Sequence, residues 1–340
     1  MGYTDWKDIS MKKIVVFSTS DNIKKIFSAG HLERLSKLGS LAVYDRNDYN
    51  DREYVLDFIK DSELIITAWG SPKIDDEMIH LCPALRGIIH AGGGIKGLLS
   101  DAFIKRNLFI SSANGALADG VAESTVAMAV SACKGMFSLP NDIRNGLWSE
   151  NRSKVKDFYD IKVGIVSVGD IGRRVIKLLK AYEVDILAYD PFVSAEEMKN
   201  LGAEKCEFEK LLSESDVISI HTPDIPETNN MFNRENLHLI KDGAVIINTA
   251  RPNVIDDAAF IEELSKNRFT AVLDVTKDAP SMVDHPYRKL PNVVLFPHIA
   301  GAVSNGCRRM GKFAVEEAER LYNGEELLGK FDLSKLSIRA

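Results

Sequence analysis

The sequence contains little cysteine and no long apolar run. Four cysteines are scattered through its 340 residues, namely Cys82, Cys133, Cys206 and Cys307. Their spacing is neither CxxC nor CxxH, so it indicates neither a zinc site nor a disulfide framework. No stretch approaches the roughly 18 apolar residues of a membrane helix, and Ile14 to Phe17 is too short for a signal-peptide core. We therefore expect a cytoplasmic protein with no metal and no membrane partner.

The sequence also lacks an excess of positive charge. It carries 43 Lys and Arg against 49 Asp and Glu, a net charge of −6, with the two signs interspersed. Because nucleic-acid-binding surfaces need clustered basic residues, we expect no nucleic-acid partner. With 45% apolar and 27% charged residues, a chain of this length is typical of a globular protein with about two domains.

Short apolar runs alternate with charged or amphipathic stretches along the first 110 residues. This alternation predicts βαβ units around a parallel sheet, because strands that are buried on both faces are continuously apolar. The predicted strands are 14–17, 41–44, 64–68, 87–90 and 108–110. We predict a flavodoxin-like domain from this pattern.

A glycine-rich segment, Val163-Gly-Ile-Val-Ser-Val-Gly-Asp-Ile-Gly172, joins an apolar run to an amphipathic one. Gly169 would let the backbone approach a pyrophosphate, and Gly172 would let the following helix pack on the sheet. Asp190 lies 21 residues beyond Gly169 (190 minus 169), the spacing of an acid that binds ribose hydroxyls and favours NAD over NADP. Ser167 replaces the usual first glycine, so an ordinary strand-to-helix turn remains an alternative.

Six strands are predicted from this segment onward, enough for a complete dinucleotide domain: 162–167, 184–189, 217–221, 244–248, 270–275 and 293–296. Two long helices are expected at 119–137 and 303–322. The first is rich in small residues, which suits simple core packing, a junction between domains or a partner interface. The segment 276–291 is a long loop of the kind that is often functional, and the tail through Ala340 should pack on the first domain.

Six motifs together resemble the D-2-hydroxyacid dehydrogenase family. They are Val163 to Gly172, Tyr189-Asp190-Pro191, His221-Thr222-Pro223 with Pro226-Glu227-Thr228, Ile247 to Arg251, Leu273-Asp274-Val275, and Phe296 to Gly301. Their order and spacing agree with the family over nearly the whole chain. The resemblance implies a Rossmann cofactor domain at 113–303, inserted into a flavodoxin-like substrate domain of 1–112 plus 304–340. It also implies an active site in the cleft between them, NAD as cofactor, and a homodimer formed through the long helix.

The resemblance further implies the roles of individual residues. Arg251 would bind the carboxylate and carbonyl oxygens of a 2-keto acid, and His298 would transfer the proton. Backbone N–H groups of Gly92, Gly93 and Gly94 would bind the substrate carboxylate, and Asp274 would face the nicotinamide. The implied cofactor-binding residues are Gly169, Asp170, Ile171, Gly172, Asp190, His221, Thr222, Pro223, Thr228, Thr249, Ala250, Arg251, Asp274, His298 and Gly301.

Each of these residues also has an ordinary structural interpretation when it is considered alone. Arg251 could be a surface or helix-capping arginine, and His298 a loop histidine with satisfied hydrogen bonds. The Gly92 to Gly94 segment could be a simple turn, and Asp274 could cap a strand end. Only the family resemblance favours the functional interpretation over these alternatives.

Three departures from the family pattern bear on activity. Ala279 precedes Pro280 where most members have the glutamate that bonds the catalytic histidine, although formate dehydrogenases of this superfamily have an uncharged glutamine there. Asp278 is one residue off and is a candidate replacement. Pro252 replaces a glycine after Arg251, which could either stiffen or misplace the arginine. Ser167 is the third departure.

The leading hypothesis is an NAD-dependent oxidoreductase that interconverts a small 2-keto acid and a D-2-hydroxy acid. The alternative is an NAD(H)-binding protein of the same fold whose catalysis is impaired and which serves regulation or interaction. In a third alternative, Ser167 prevents cofactor binding altogether. The sequence does not identify the acid.

Overall fold

The computed structural model describes residues 12–95, 97–148, 150–277 and 283–333. Within these ranges the chain forms twelve strands and twelve α-helices. The strands are β1 (Lys13–Phe17), β2 (Ser40–Val43), β3 (Leu64–Ala68), β4 (Gly87–Ala91), β5 (Phe109–Ser112), β6 (Lys162–Val166), β7 (Asp185–Tyr189), β8 (Glu204–Lys205), β9 (Val217–Ile220), β10 (Val245–Asn248), β11 (Thr270–Leu273) and β12 (Val293–Leu295).

The helices alternate with the strands for most of the chain. They are α1 (Ser20–Ile26), α2 (Ala29–Ser36), α3 (Arg52–Ile59), α4 (Asp76–His80), α5 (Asp101–Lys105), α6 (Asn114–Cys133), α7 (Leu139–Arg144), α8 (Asp170–Leu179), α9 (Ala195–Leu201), α10 (Phe208–Glu214), α11 (Asp257–Ser265) and α12 (Cys307–Asn323). Short 3₁₀ segments join several of these elements, including Pro252–Val254 and Pro286–Lys289.

The described residues separate into two compact units, one within Met1–Leu117 and Ala302–Ala340 and the other within Ala118–Gly301. The sequence prediction placed these boundaries at 1–112 with 304–340 and at 113–303. The first unit is therefore built from two separate parts of the chain, and the second is continuous.

The first unit contains a five-stranded parallel sheet in the order β2-β1-β3-β4-β5. This is the flavodoxin-like order that the alternating apolar runs predicted. Strands β3 and β4 are buried along their whole length, which explains why they are mostly apolar. Their polar side chains, Thr67 and His90, hydrogen-bond to each other at 2.9 Å. Helix α12 packs close to α1. The approach is so close that a methyl group at Gly311 would lie 2.1 Å from the carbonyl oxygen of Ile26.

The C-terminal segment belongs to the first unit. Glu317 on α12 is fully buried and accepts hydrogen bonds from the backbone N–H groups of Leu328 (2.9 Å) and Gly329 (3.1 Å). Beyond them, Phe331 donates to the carbonyl of Ile110 at 2.8 Å. The predicted packing of the tail on the first unit therefore holds for the described residues, while 334–340 lie outside them.

The second unit contains a seven-stranded parallel sheet in the order β12-β11-β10-β9-β6-β7-β8. Counted from β6, this is the Rossmann order 3-2-1-4-5-6 with a seventh strand added after the sixth. The sequence prediction of six strands missed β8, because two residues without an apolar run leave no periodic signal. The predicted fold class is confirmed, with a Rossmann unit inserted into a flavodoxin-like one.

Helix α6 begins five residues before its predicted start and ends four residues before its predicted end. It ends at Cys133 because Gly135 adopts a left-handed φ of 66°, and Gly135 and Met136 then donate to carbonyls of the last turn. By length and composition this helix could cross a membrane, a test that core helices of soluble proteins also pass. The predicted helix at 303–322 is a 3₁₀ turn (Ser304–Gly306) followed by α12.

Candidate active site

Three neighbouring strands of the second sheet end side by side. Asn248 of β10 pairs with Leu273 of β11, and Leu273 pairs with Leu295 of β12, so their carboxyl ends lie in register. Arg251, Asp274 and His298 follow these three strands by one to three residues. In open α/β sheets this edge is where ligands bind, so the fold gathers the three predicted residues on adjacent loops.

The loop that carries Arg251 is closed by a side chain of the strand before it. The Asn248 amide donates to the carbonyl of Arg251 at 2.9 Å and accepts from the N–H of Ala250 at 3.0 Å. Arg251 is extended (φ −143°, ψ 143°) and exposed, and Pro252 begins a 3₁₀ turn directly after it. This is the conformation that a following proline favours, so Pro252 and Asn248 together restrict the backbone of Arg251.

The loop that carries His298 is held by Asp274. The Asp274 carboxylate is buried and accepts from the N–H groups of Ile299 (2.8 Å) and Ala300 (2.9 Å), one bond to each oxygen. His298 itself is exposed and adopts a left-handed φ of 56°. Charge-assisted bonds to the next two residues oppose the cost of that conformation. Asp274 thus caps this loop, a structural role of the kind that the sequence left open as the alternative. Its role toward nicotinamide stays a prediction.

The glycine-rich segment lies at the point where the strand order of the second sheet reverses, between β6 and β9. A methyl group at Gly169 would meet no heavy atom within 4 Å, whereas one at Gly172 would lie 2.3 Å from the carbonyl oxygen of Ser167. Gly169 is the N-cap of α8, and within the described part of the chain no side chain caps this helix. Open space beside the first N–H groups of a helix, which have no partner within the helix, fits the pyrophosphate of a dinucleotide.

Ser167 replaces the first fingerprint glycine in a backbone conformation that favours glycine. Its φ is 74°, in the left-handed region, and its backbone N–H donates to the carbonyl of Tyr189 at 2.8 Å. Its hydroxyl lies 3.0 Å from the hydroxyl of Thr222, which follows β9. The side chain therefore bonds to the adjacent loop and leaves the space beside Gly169 open.

Asp190 is the first residue after β7 and is buried. Its carboxylate oxygens accept from the N–H groups of Val168 (2.9 Å) and Phe192 (2.8 Å). A carboxylate has about four acceptor positions, so two remain for ribose hydroxyls. The acceptor positions left on Asp190 therefore fit the ribose hydroxyls at the adenosine end of a dinucleotide.

Several other predicted cofactor residues make bonds of their own. Thr228 donates within its loop, 2.6 Å from the carbonyl of Pro223. Asp170 forms an ion pair with Arg174 on α8. Burial lowers the pKa of His221 to about 3, so this side chain is neutral. His221 Nε2 lies 2.9 Å from the Ser219 hydroxyl, and Nδ1 has no partner among the described residues.

The predicted substrate glycines lie in the first unit, directly after β4. A methyl group at Gly92 would lie 2.4 Å from Nε2 of His90, and one at Gly93 would lie 2.8 Å from Oδ1 of Asn114. At Gly94 it would meet none of the described residues within 4 Å. Close packing explains the first two glycines without a ligand, and the carboxylate-binding role of the segment stays a prediction.

Two residues discussed as partners of His298 lie outside the described residues. They are Asp278, the candidate partner, and Ala279, which replaces the usual glutamate.

Comparison with known proteins supports this interpretation. Residues 126–300 match the profile of the family described as "D-isomer specific 2-hydroxyacid dehydrogenase, NAD binding domain". The chain belongs to the D-isomer specific 2-hydroxyacid dehydrogenase family. The match confirms the family that the motifs indicated and NAD as its cofactor, because it spans the Rossmann unit and its glycine-rich segment.

Relatives in the family differ in how much of their length the chain covers. The D-3-phosphoglycerate dehydrogenase of Archaeoglobus fulgidus is 30% identical over 80% of this chain, but the match covers 52% of that protein. The chain thus spans about half the length of that relative. The glyoxylate reductase of Korarchaeum cryptofilum is 30% identical over 81% of this chain and 84% of its own length.

Solved structures share the fold. A crystal structure of D-lactate dehydrogenase with NAD⁺ from Lactobacillus jensenii superposes with a TM-score of 0.77, and the match covers 94% of this chain and 99% of that one. At 24% identity this likeness supports the fold and does not by itself identify a substrate.

Proposed function

We propose that this protein is an NAD-dependent oxidoreductase that interconverts a small 2-keto acid and the corresponding D-2-hydroxy acid. The observation that carries the proposal is the edge formed by β10, β11 and β12, from which Arg251, Asp274 and His298 emerge on adjacent loops. A guanidinium and an imidazole are the groups that this reaction needs, and the buried Asp274 carboxylate holds the imidazole loop.

The chain's own residues account for substrate binding and proton transfer. Arg251 binds the substrate carboxylate through its planar fork of N–H donors and polarises the carbonyl oxygen. His298, as imidazolium, donates a proton to that oxygen in reduction, and as neutral imidazole it accepts the proton in oxidation. When bound, the nicotinamide cofactor supplies or accepts the hydride at the carbonyl carbon. Proton transfer of this kind contributes about 10² to 10⁴-fold to the rate.

Glyoxylate is the first substrate to test, because glyoxylate reductases match this chain over most of their length, whereas the first phosphoglycerate dehydrogenases match over about half. Purified protein is incubated with NADH and glyoxylate, hydroxypyruvate, pyruvate or phenylpyruvate across about pH 5 to 8. D-3-phosphoglycerate with NAD⁺ tests the reverse direction. The proposal predicts cofactor turnover with at least one acid, abolished by Arg251→Ala. If NADH binds and none of these acids reacts, the proposal fails.

The second candidate is an NAD(H)-binding protein with impaired catalysis. Ser167 favours it, because a serine stands at the cofactor loop where the fingerprint has glycine, in a left-handed backbone conformation that favours glycine. This candidate predicts tight NADH binding, unchanged by Arg251→Ala, without turnover of any 2-keto acid. Thermal stabilisation by NAD⁺ separates both candidates from a protein that cannot bind the cofactor.

The cytoplasmic location stays a prediction.

We propose that the protein forms a homodimer through the segment that follows α6. Four large apolar side chains there are exposed, Met136 (57%), Ile143 (47%), Leu147 (37%) and Trp148 (82%). These four residues are close in sequence, and exposed apolar side chains that form one patch mark interaction surfaces. Light scattering after gel filtration should give twice the chain mass, and Trp148→Glu should give the monomer. The exposed Phe192→Glu, elsewhere in the same unit, is the control and should leave the dimer intact.

A further inference from the structure

Two adjacent hydroxyls on α6 bond to the two loops that carry Arg251 and His298. The Ser124 hydroxyl donates to the carbonyl of Ala300 at 3.1 Å. The Thr125 hydroxyl lies 2.9 Å from the hydroxyl of Thr249 and is buried. Ala300 is two residues after His298, and Thr249 is two residues before Arg251. One turn of one helix is therefore attached to both loops.

The direction of the Thr125 contact follows from its second bond. Thr125 Oγ1 also lies 2.8 Å from the carbonyl oxygen of Val121, which can only accept. A hydroxyl carries one proton, so Thr125 donates to Val121 and the Thr249 hydroxyl donates to Thr125. The resulting chain of bonds runs from Thr249 through Thr125 to the α6 backbone. Because its proton is used in this bond, the Thr249 hydroxyl can make further hydrogen bonds only as an acceptor.

Helix packing alone does not explain these two polar side chains. A buried hydroxyl is costly unless it is bonded, and a threonine that bonds its own i−4 carbonyl slightly destabilises a helix. Ala or Val would pack at 125 without either cost. The bonds to Ala300 and Thr249 span 176 and 124 residues of sequence, so they stabilise the loops relative to α6 rather than α6 itself.

The Arg251 loop is also closed internally, and the His298 loop is also held from the end of the neighbouring strand β11. Asn248 joins Ala250 to Arg251, and Asp274 holds Ile299 and Ala300. Directly after Arg251 the chain is also bonded elsewhere, since Asn253 donates to Asp224 and accepts from the N–H of Asn230, both at 2.9 Å. Helix α6 is bonded to both loops. Since the two attachment points are consecutive on a rigid helix, they relate one loop to the other.

We propose that Ser124 and Thr125 are positioning residues, which set the placement of Arg251 and His298 relative to each other for the reaction. Neither is proposed to touch substrate or cofactor. The inference rests on the proposed function for its catalytic consequence, while its structural part concerns the loops alone. A displacement of about 1 Å at reacting groups can lower a rate up to about 100-fold, so a modest loosening would be measurable.

The experiment uses Thr125→Val, which removes the hydroxyl and keeps the shape, and Thr125→Ser, which keeps the hydroxyl. Ser124→Ala and Ser124→Thr form the matched second pair. Hydrogen exchange is measured without cofactor on peptides containing the bonded amides of Ala250, Ile299 and Ala300. Steady-state kinetics with the best 2-keto acid and NADH binding by fluorescence are measured in parallel.

For Thr125→Val and Ser124→Ala we expect exchange at these amides to rise at least about fivefold and kcat to fall at least about fivefold, with NADH affinity within about twofold. The hydroxyl-keeping variants should stay within about twofold of the wild type in all three measurements. Unchanged exchange overturns the inference, whether or not kcat falls, and so does increased exchange with unchanged kcat. If the wild type turns over no 2-keto acid, the proposed function fails separately, and exchange alone decides the positioning of the loops.

Discussion

Both sheets have a point where the strand order reverses, and the two points differ in what fills them. In the first sheet it lies between β1 and β3. There Ser18 and Asn22 donate to the carbonyl of Trp69 at 2.7 and 2.6 Å, and Ser71 donates to the carbonyl of Phe17 at 2.6 Å. In the second sheet, between β6 and β9, the position beside Gly169 is open. Topology creates two equivalent positions, and local side chains leave only the second ready for a dinucleotide.

The left-handed residues show the same contrast. In the first unit, Asp61 and Asn107 precede β3 and β5, at the amino ends of the strands. Asp and Asn tolerate this conformation, so these are ordinary turns. In the second unit, Ser167 and His298 follow β6 and β12, at the carboxyl edge where ligands bind. The second sheet has ordinary turns of the same kind at Asp160 and Asn267, before β6 and β11, and differs in also placing a left-handed serine and histidine at its carboxyl edge.

The largest expected effect tests whether the two sheets differ in chemistry. His298→Gln should lower kcat/KM by about 10² to 10⁴-fold, because glutamine cannot transfer the proton. The matched control is His80→Gln, which changes an exposed histidine of the first unit and should leave kcat/KM unchanged. Steady-state kinetics with the best 2-keto acid measure both. Equal effects of the two substitutions would remove the functional contrast between the units.

The next effect tests the clamp on the His298 loop. Asp274→Asn should lower kcat by about 10-fold or more, because an amide offers one acceptor oxygen where two N–H groups each need one. Hydrogen exchange at Ile299 and Ala300 should rise in the same variant. Asp185→Asn, at the amino end of β7, is the control and should change neither. A variant with normal kcat would show that Asp274 has no bearing on catalysis.

The two buried histidines, one in each unit, predict how the stability of the protein changes at acid pH. Burial lowers the pKa of His90 to about 4 and that of His221 to about 3, against about 6.5 in the unfolded chain. The unfolded state therefore binds more protons, and the stability from these neutral imidazoles is complete above about pH 6.5. It is lost as the pH falls toward 4 for His90 and toward 3 for His221.

Urea unfolding between about pH 7 and 4.5 tests this expectation. Both sheets should lose stability on acidification, and His90→Asn should reduce that loss by about 1 to 3 kcal/mol. His80→Asn serves as the control, because His80 is exposed. An identical pH dependence in the wild type and His90→Asn would rule out a buried neutral His90.

The smallest effect concerns Ser167. Ser167→Ala loses the bond to Thr222 and keeps the left-handed strain, whereas Ser167→Gly loses the bond and relieves the strain. We expect the glycine variant to be more stable than the alanine variant by about 1 kcal/mol in urea unfolding. NADH affinity should change by less than about threefold in both, because the side chain points toward Thr222. Alanine as stable as glycine would show that the backbone there is unstrained.

Much of the fold was predictable from periodicity. Buried parallel strands are continuously apolar, so eleven of the twelve strands in the described ranges were located to within about two residues. Strand β8 was missed because two residues carry no pattern, and α6 was misplaced because Gly135 ends it through a conformation that composition does not reveal. The order of the motifs indicated Arg251, Asp274 and His298, because each of these residues lies close to the end of a strand that the apolar pattern predicted.

By itself, the sequence determined the two parallel sheets, the family and the cofactor, because these depend on local patterns of apolar residues and glycines. Only the tertiary structure decided which side chains hold the candidate site together. The bonds of Ser167 to Thr222, Asp274 to Ile299 and Ser124 to Ala300 span 55, 25 and 176 residues. A hydroxyl or carboxylate has many partners within reach of its own segment, and only packing selects a distant one.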